Sequence, residues 1–281
     1  MLRTMTELED YAIDASDGVI GHVKDVYFDD ATWVMRYLVV ETGSWLSSRK
    51  VLISPVSIGE PDHERKLLPV SISREQVRNS PDIDTEKPVS RQHEIGYLGY
   101  YGYPSYWGGA GYWGAEAFPN LSLSLAGAML PEPRHPDPDS DDSLARNVAH
   151  LGESDDPHLR SCKAIAGYHI EATDGDIGHV QGILFDEATW ALRYLIVDTS
   201  NWWAGHQVLI APQWIEEVRW LDSTVSIALT RKQVQNAPPY DPDLRLGRDA
   251  EATMYEHYGR AGYWNSAVAG ELAASRHSRV L

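Results

Sequence analysis

Apolar and polar side chains alternate loosely from Ile20 to Phe28, break at Asp29-Asp30-Ala31-Thr32, and return as a nearly continuous apolar run from Val34 to Thr42. That pattern predicts a β-hairpin, with turn-favouring Asp residues at the break and β-branched and aromatic residues on either side. In the second strand both parities are apolar: Val34, Leu38 and Val40 on one side, Met35, Tyr37 and Val39 on the other. A strand with two apolar faces is covered on both. Val51 to Ser54, stopped by Pro55, and Leu67 to Ile72 predict two further short strands. Ser73-Arg-Glu-Gln76 has the capping-box spacing and opens a helix of about two turns that Pro81 ends. Asp17-Gly18 supplies a turn with positive φ, and Gly21 stands where the following strand begins.

The whole pattern recurs 157 residues later without a gap: Tyr11 to Ile58 aligns with Tyr168 to Ile215, and roughly half of the positions are identical. The offset still holds at Ser73/Thr230, Gln76/Gln233, Asn79/Asn236 and Pro81/Pro238, and again at Tyr106-Trp107 against Tyr263-Trp264. A repeat of this length is a domain rather than a solenoid unit. The expected fold is therefore mainly β: two tandem small barrels, mostly antiparallel, each followed by a short helix and an aromatic extension. The segments are a first barrel over 1–83, an aromatic Gly/Tyr/Trp extension over 84–115, an acidic Pro/Asp-rich linker over 116–160, a second barrel over 161–240, and a second extension with the tail over 241–281. The extensions share Tyr101/Tyr258 and Gly102/Gly259 in register, so they are expected to pack around a barrel or along the seam between the two. Alternation at Leu121, Leu123 and Leu125 allows a short strand within the linker.

Composition narrows the function classes. A chain of 281 residues with 43% hydrophobic residues, 10 Trp and 15 Tyr is globular, not disordered throughout. The formal charge of −17 opposes binding to a phosphate backbone, and we expect no nucleic-acid partner. Much of the acidity is local: Pro131 to His158 holds eight acids against Arg134 and Arg146. The one cysteine, Cys162, has no intramolecular partner for a disulfide. The N-terminal MLRTMTELEDYAID has no apolar signal-type stretch, and no run reaches 18 apolar residues. The expected location is a reducing bacterial-type cytoplasm, with peripheral association with a membrane complex as the only membrane role.

The set Asp17-Gly18, Gly21, Val23, Asp29 and Arg36-Tyr37-Leu38-Val39-Val40 resembles the PRC-barrel domain, named for the cytoplasmic part of the photosynthetic reaction-centre H subunit. The second copy carries the same set as Asp174-Gly175, Gly178, Val180, Asp186 and Arg193-Tyr194-Leu195-Ile196-Val197. The resemblance covers both repeats and implies a six-stranded, barrel-like PRC-type fold found alone, in tandem or fused to other domains. It also implies assembly and interaction roles: capping a membrane complex and aiding proton delivery in the H subunit, or binding a ribosomal protein in a ribosome-maturation factor. This sequence shows neither the membrane helix of the former nor the companion domain of the latter. Fold-level likeness fixes architecture better than function.

The candidate chemistry is sparse. His22 and His179 are equivalent, but no Cys, His or Glu stands near either at ligand spacing, so a locally bonded strand residue is the better reading. Asp29-Asp30 and Asp186-Glu187 read as turn chemistry, and Arg36 and Arg193, inside apolar strands, each need an acidic partner such as Asp29 or Asp186. No nucleophile elbow, glycine-rich phosphate loop or zinc motif is present. We expect no catalytic residues, no cofactor and no metal, hence no enzyme. The expected role is a binding or assembly module whose repeats pack as a pseudo-symmetric pair within the chain. A protein partner would contact the loops that differ between the copies, or the seam. Candidate contact residues are Trp45, Trp202, Trp203, His22, His179, Trp107 and Trp264. The alternatives are an H-subunit-like accessory in electron or proton transfer and, against the acidity, a ribosome or RNA-maturation adaptor.

Overall fold

The computed structural model describes residues 1–9, 11–81, 89, 91–107, 111–119, 158–199 and 206–265. The chain builds two mainly β sheets, as its repeat implies. In the first half the strands are β1 (Leu2–Thr4), β2 (Ala12–Ala15), β3 (Gly18–Asp29), β4 (Val34–Thr42), β5 (Lys50–Ile53) and β6 (Leu67–Pro69). The second half contributes β7 (Leu159–Ser161), β8 (His169–Ala172), β9 (Gly175–Asp186), β10 (Leu192–Asp198), β11 (Gln207–Ile210), β12 (Ile215–Arg219) and β13 (Thr224–Ile227). One sheet runs β5-β4-β3-β2-β6 and the other β11-β10-β9-β8-β13-β12. Most ladders are antiparallel, but β2/β6 and β8/β13 pair in parallel. Among the described residues no ladder joins the two ends of either order, so each sheet is barrel-like rather than a closed barrel.

The hairpins follow the predicted pattern. Val34, Met35, Tyr37, Leu38 and Val40 are all essentially inaccessible, so β4 is covered on both faces. Gly18 and Gly175 hold φ of 127° and 128°, the turn conformation that glycine adopts without penalty. A Cβ on Gly21 or Gly178 would overlap the carbonyl of Glu41 or of Asp198 on the neighbouring strand. Both capping boxes form: Ser73 and Thr230 accept from the amides of Gln76 and Gln233, whose side chains accept from the cap amides in return. The short helices Arg74–Arg78 and Arg231–Gln235 follow.

Two features of the fold were not expected from the sequence. The aromatic extensions contain longer helices, Arg91–Tyr101 and Arg248–His257, despite Gly96 and Gly99 inside the first. Tyr97 and Leu98, and Met254, Tyr255 and Tyr258, bury against the sheets, and this packing outweighs the cost of glycine within a helix, roughly 0.5–1 kcal/mol each.

The halves also exchange strands. β1 pairs with β9 of the second sheet (Leu2 opposite Asp186, Thr4 opposite Leu184), while β7 pairs with β3 of the first (Leu159 opposite Asp29, Ser161 opposite Tyr27). The linker boundary expected at 160 thus falls inside a strand of the first sheet, and the first three-residue strand of the chain lies in the second. The physical reason is burial. Met5 and Leu8, in the helix Met5–Glu9, and their counterparts Cys162 and Ile165, in the helix Cys162–Ile165, are all buried in the common core. The helix Met5–Glu9 packs against both β3 and β9. The proposed short strand around 121–125 and the acidic stretch of the linker lie outside the described residues.

Candidate binding groove at the seam

The seam is built from the two hairpin turns. Asp29 Oδ1 accepts from the amides of Ala31 and Thr32 at 3.0 and 3.1 Å, and Asp186 Oδ1 accepts from Ala188 at 3.2 Å, the turn role predicted for these acids. Each turn then places a tryptophan in the left-handed region, Trp33 at φ 56° and Trp190 at φ 60°. A bulky residue there costs of order 1–3 kcal/mol and persists only when its surroundings over-determine it. Here they do. Trp33 stacks on Phe28 and Trp190 on Phe185, with ring centroids 5.2 and 5.6 Å apart. The strained carbonyls point across the seam: Leu192 donates its amide to Trp33 at 2.8 Å, and Met35 donates to Trp190 at 2.9 Å.

Behind the turns lies a buried polar layer. Arg36 and Arg193 reach Asp29 and Asp186 at 3.8 and 3.3 Å, and each also donates to the threonine of its own turn, Thr32 or Thr189, at 3.1 and 3.2 Å. Burial pulls the Arg36 guanidinium below its ordinary value, while Tyr106, Asp29 and Glu94 offset part of the loss. Both arginines converge on one residue of the first aromatic extension, Tyr112. Arg36 donates to its carbonyl, and Arg193 donates to its hydroxyl at 3.1 Å. Trp113 next to it donates its indole N–H to the carbonyl of Thr189 at 2.9 Å. The extension therefore covers the first sheet through Tyr97, which donates to Leu52, and crosses the seam through Tyr112 and Trp113.

Sequence reasoning missed the acids of this layer. Glu94 and Glu251, 157 residues apart, are buried on the extension helices. Glu94 accepts from the hydroxyls of Tyr37 and Tyr106 and pairs with His158 at 2.7 Å. Glu251 accepts from Tyr194 at 2.6 Å and Tyr263 at 3.1 Å, and pairs with Arg248 at 3.0 Å. Burial first, then the adjoining carboxylate, pushes the Tyr37 phenol well above its ordinary value. The signal was available, since both glutamates keep the repeat offset. This layer is structural chemistry of paired buried charge.

On the surface of the seam two pseudo-symmetric ion pairs tie each exchanged strand to the turn it reaches: Arg3 to Glu187 at 2.9 Å and Arg160 to Asp30 at 2.8 Å. Around the first of these the residues leave an open groove of about 440 Å³ whose walls include Arg3, Tyr11, His63, Lys66, Glu187 and Arg245. The Tyr11 hydroxyl and His63 Nδ1 are 2.8 Å apart, and His63 Nε2 lies 3.2 Å from Glu187.

The residues singled out from sequence are scattered. His22 is exposed opposite Ala12 and Glu41, whereas His179 is half-buried opposite His169 and Asp198, and the two do not share a site. Among the described residues no group of three potential ligands could hold a metal ion. Trp45 is half-buried: its indole N–H donates to Ile20 at 2.7 Å and Arg74 lies over its ring at 4.2 Å. Trp107 packs edge-on against Tyr106, and Trp264 against Tyr255, each at 5.0 Å. Trp202 and Trp203 lie outside the described residues. Of the additional tryptophans in the second copy, Trp214 is buried against Tyr255 and Tyr258, and Trp220 lies under Arg160 at 4.4 Å.

Residues 9–76 match the family model of the PRC-barrel domain. The match spans β2 to β6 and the start of the first capped helix, the part of the chain that carries the Asp-Gly turn and the Arg-Tyr-Leu-Val-Val strand. The mainly β architecture of the two sheets is consistent with PRC-type barrel-like domains, and a PRC-barrel domain is generally a non-catalytic module. No curated protein matches the chain. Among the described residues no helix is long and apolar enough to cross a membrane.

Proposed function

We propose that this protein is a non-catalytic binding or assembly module in which two PRC barrels are locked into one pseudo-symmetric body, and that a protein partner docks on faces where the repeats differ. The observation that supports this most is the reciprocal exchange of β1 and β7. Exchange would remove the hinge freedom of a two-domain chain, and a preorganised surface binds with less ordering cost. The docking surface would include Trp45, positioned by Ile20 and Arg74, and the sequence segment bearing Trp202 and Trp203. Tryptophans dominate binding hot spots.

Affinity capture with the full chain, followed by mass spectrometry, tests the reading. A stoichiometric partner retained by the wild type and lost from a folded Trp45→Ala/Trp202→Ala variant is the expected result. A captured set unchanged by both substitutions contradicts it.

A further inference from the structure

We propose that the groove beside Tyr11 and His63 binds a small ligand bearing a compact oxyanion, a carboxylate or a phosphate. Its volume of about 440 Å³ lies within the range of small-ligand sites. Its charge differs from that of the molecule: Arg3, Lys66 and Arg245 face Glu7 and Glu187, a local positive excess in a chain of net −17. A cationic cleft on an acidic surface focuses anions while the remaining surface repels them.

The walls are held in place. Tyr11 is buried, with its hydroxyl on His63 Nδ1, and Glu187 receives both His63 Nε2 at 3.2 Å and Arg3 Nε at 2.9 Å. Arg3 also spans to Glu7 at 3.2 Å, so both acids of the groove are already engaged by a cation. Lys66 and the exposed Arg245 complete the cationic rim.

The second repeat supplies an internal control. At the offset of 157 residues His63 becomes Trp220, Lys66 becomes Ser223, Glu7 becomes Ala164, and the counterpart of Arg245 is Pro88. There the indole of Trp220 lies over the guanidinium of Arg160 at 4.4 Å and against the rings of Tyr168 and Phe28 at 6.0 and 6.4 Å. One copy thus carries an aromatic plug on its strand-exchange arginine. The other carries an imidazole, a groove and two additional cations. The turn residue that precedes the returning strand is held alike in both, since Lys66 and Ser223 have φ of 54° and 52°. This inference stands on the groove alone and does not depend on the partner-binding reading.

Calorimetric titration of the full chain at low ionic strength, with citrate in one arm and inorganic phosphate in the other, tests the proposal and separates the two anion sources. Saturable binding in at least one arm is expected. Arg245→Gln, and His63→Trp, which installs the plug of the other repeat, should each weaken it about tenfold or more with an unchanged circular-dichroism spectrum. Should His63→Trp fail to fold, a Lys66→Ser/Arg245→Gln double variant replaces it. Absence of titration in both arms, or binding unaltered in the folded variants, overturns the proposal.

Discussion

Val34 and Ala191, 157 residues apart in sequence, pair antiparallel with each other where the two hairpin turns meet. The flanking bonds, Met35 to Trp190 and Leu192 to Trp33, are images of one another, which puts a local two-fold axis between the pair. Duplication and fusion of a strand-exchanged homodimer would leave this relationship.

A charge placed on that axis has nowhere to go. Val34 is fully buried, and Val34→Asp should destabilise the protein by about 3 kcal/mol or more through an unpaired buried carboxylate. Urea unfolding monitored by tryptophan fluorescence and by far-ultraviolet dichroism should give coincident, shifted transitions. A loss under about 1 kcal/mol would count against a tightly packed seam.

Glycine substitutions should split by position. Gly21→Ala and Gly178→Ala each drive a methyl into a neighbouring carbonyl and should cost about 2–4 kcal/mol. Gly96→Ala, in the helix Arg91–Tyr101 with open space around it, should stabilise by up to about 1 kcal/mol. Melting temperatures of the three variants check this, and equal shifts would refute the assignment of Gly21 and Gly178 to close strand approach.

The outcome at these glycines reflects how much of the fold was legible in the sequence. The hairpins, capping boxes and buried Arg36/Asp29 and Arg193/Asp186 pairs follow from local pattern and from the repeat, because each is a short-range demand that both copies satisfy. The helices at Arg91–Tyr101 and Arg248–His257 were hidden, because their stability comes from tertiary burial of Tyr97 and Tyr255 rather than from propensity. Strand exchange was equally hidden: Leu2–Thr4 looks the same whichever sheet it joins. The groove was invisible for a different reason. His63 is not repeated, since the offset puts Trp220 in its place, and only the fold brings it beside Tyr11, Arg3 and Glu187.

Asp186 predicts a pH signature. Burial alone would raise its carboxyl, but Arg193, the amide of Ala188, the Thr189 hydroxyl and the N-terminal ammonium together hold it below the ordinary 3.8. A depressed folded-state value stabilises fully above the unfolded value and is lost as pH falls through the folded one. The stability gap between wild type and Asp186→Asn should therefore be constant from neutral pH down to about 4 and close below it. Denaturation midpoints across that range give the answer. A gap that widens on acidification would reverse the sign.

Cys162 reports on the exchanged segment. Its thiol is buried in the helix that follows β7, and burial pushes it well above its ordinary value. Disulfide-exchange labelling should be slow in the native protein and complete in denaturant, with the native rate set by detachment of residues 159–165. Arg160→Ala, which cuts the tie to Asp30, should accelerate labelling several-fold. An unchanged rate would mean that the segment opens independently of that ion pair.

The central claim is that the two repeats are interlocked by exchanged strands. A protease site inserted between Asp137 and Asp142, in the Pro/Asp-rich linker, allows the chain to be cut after folding. Native mass spectrometry of the cut protein should show both fragments together at the mass of the intact chain, separating only in denaturant, because each fragment supplies a strand to the other's sheet. Two fragments that part under native conditions, each retaining its β signal, would contradict the account.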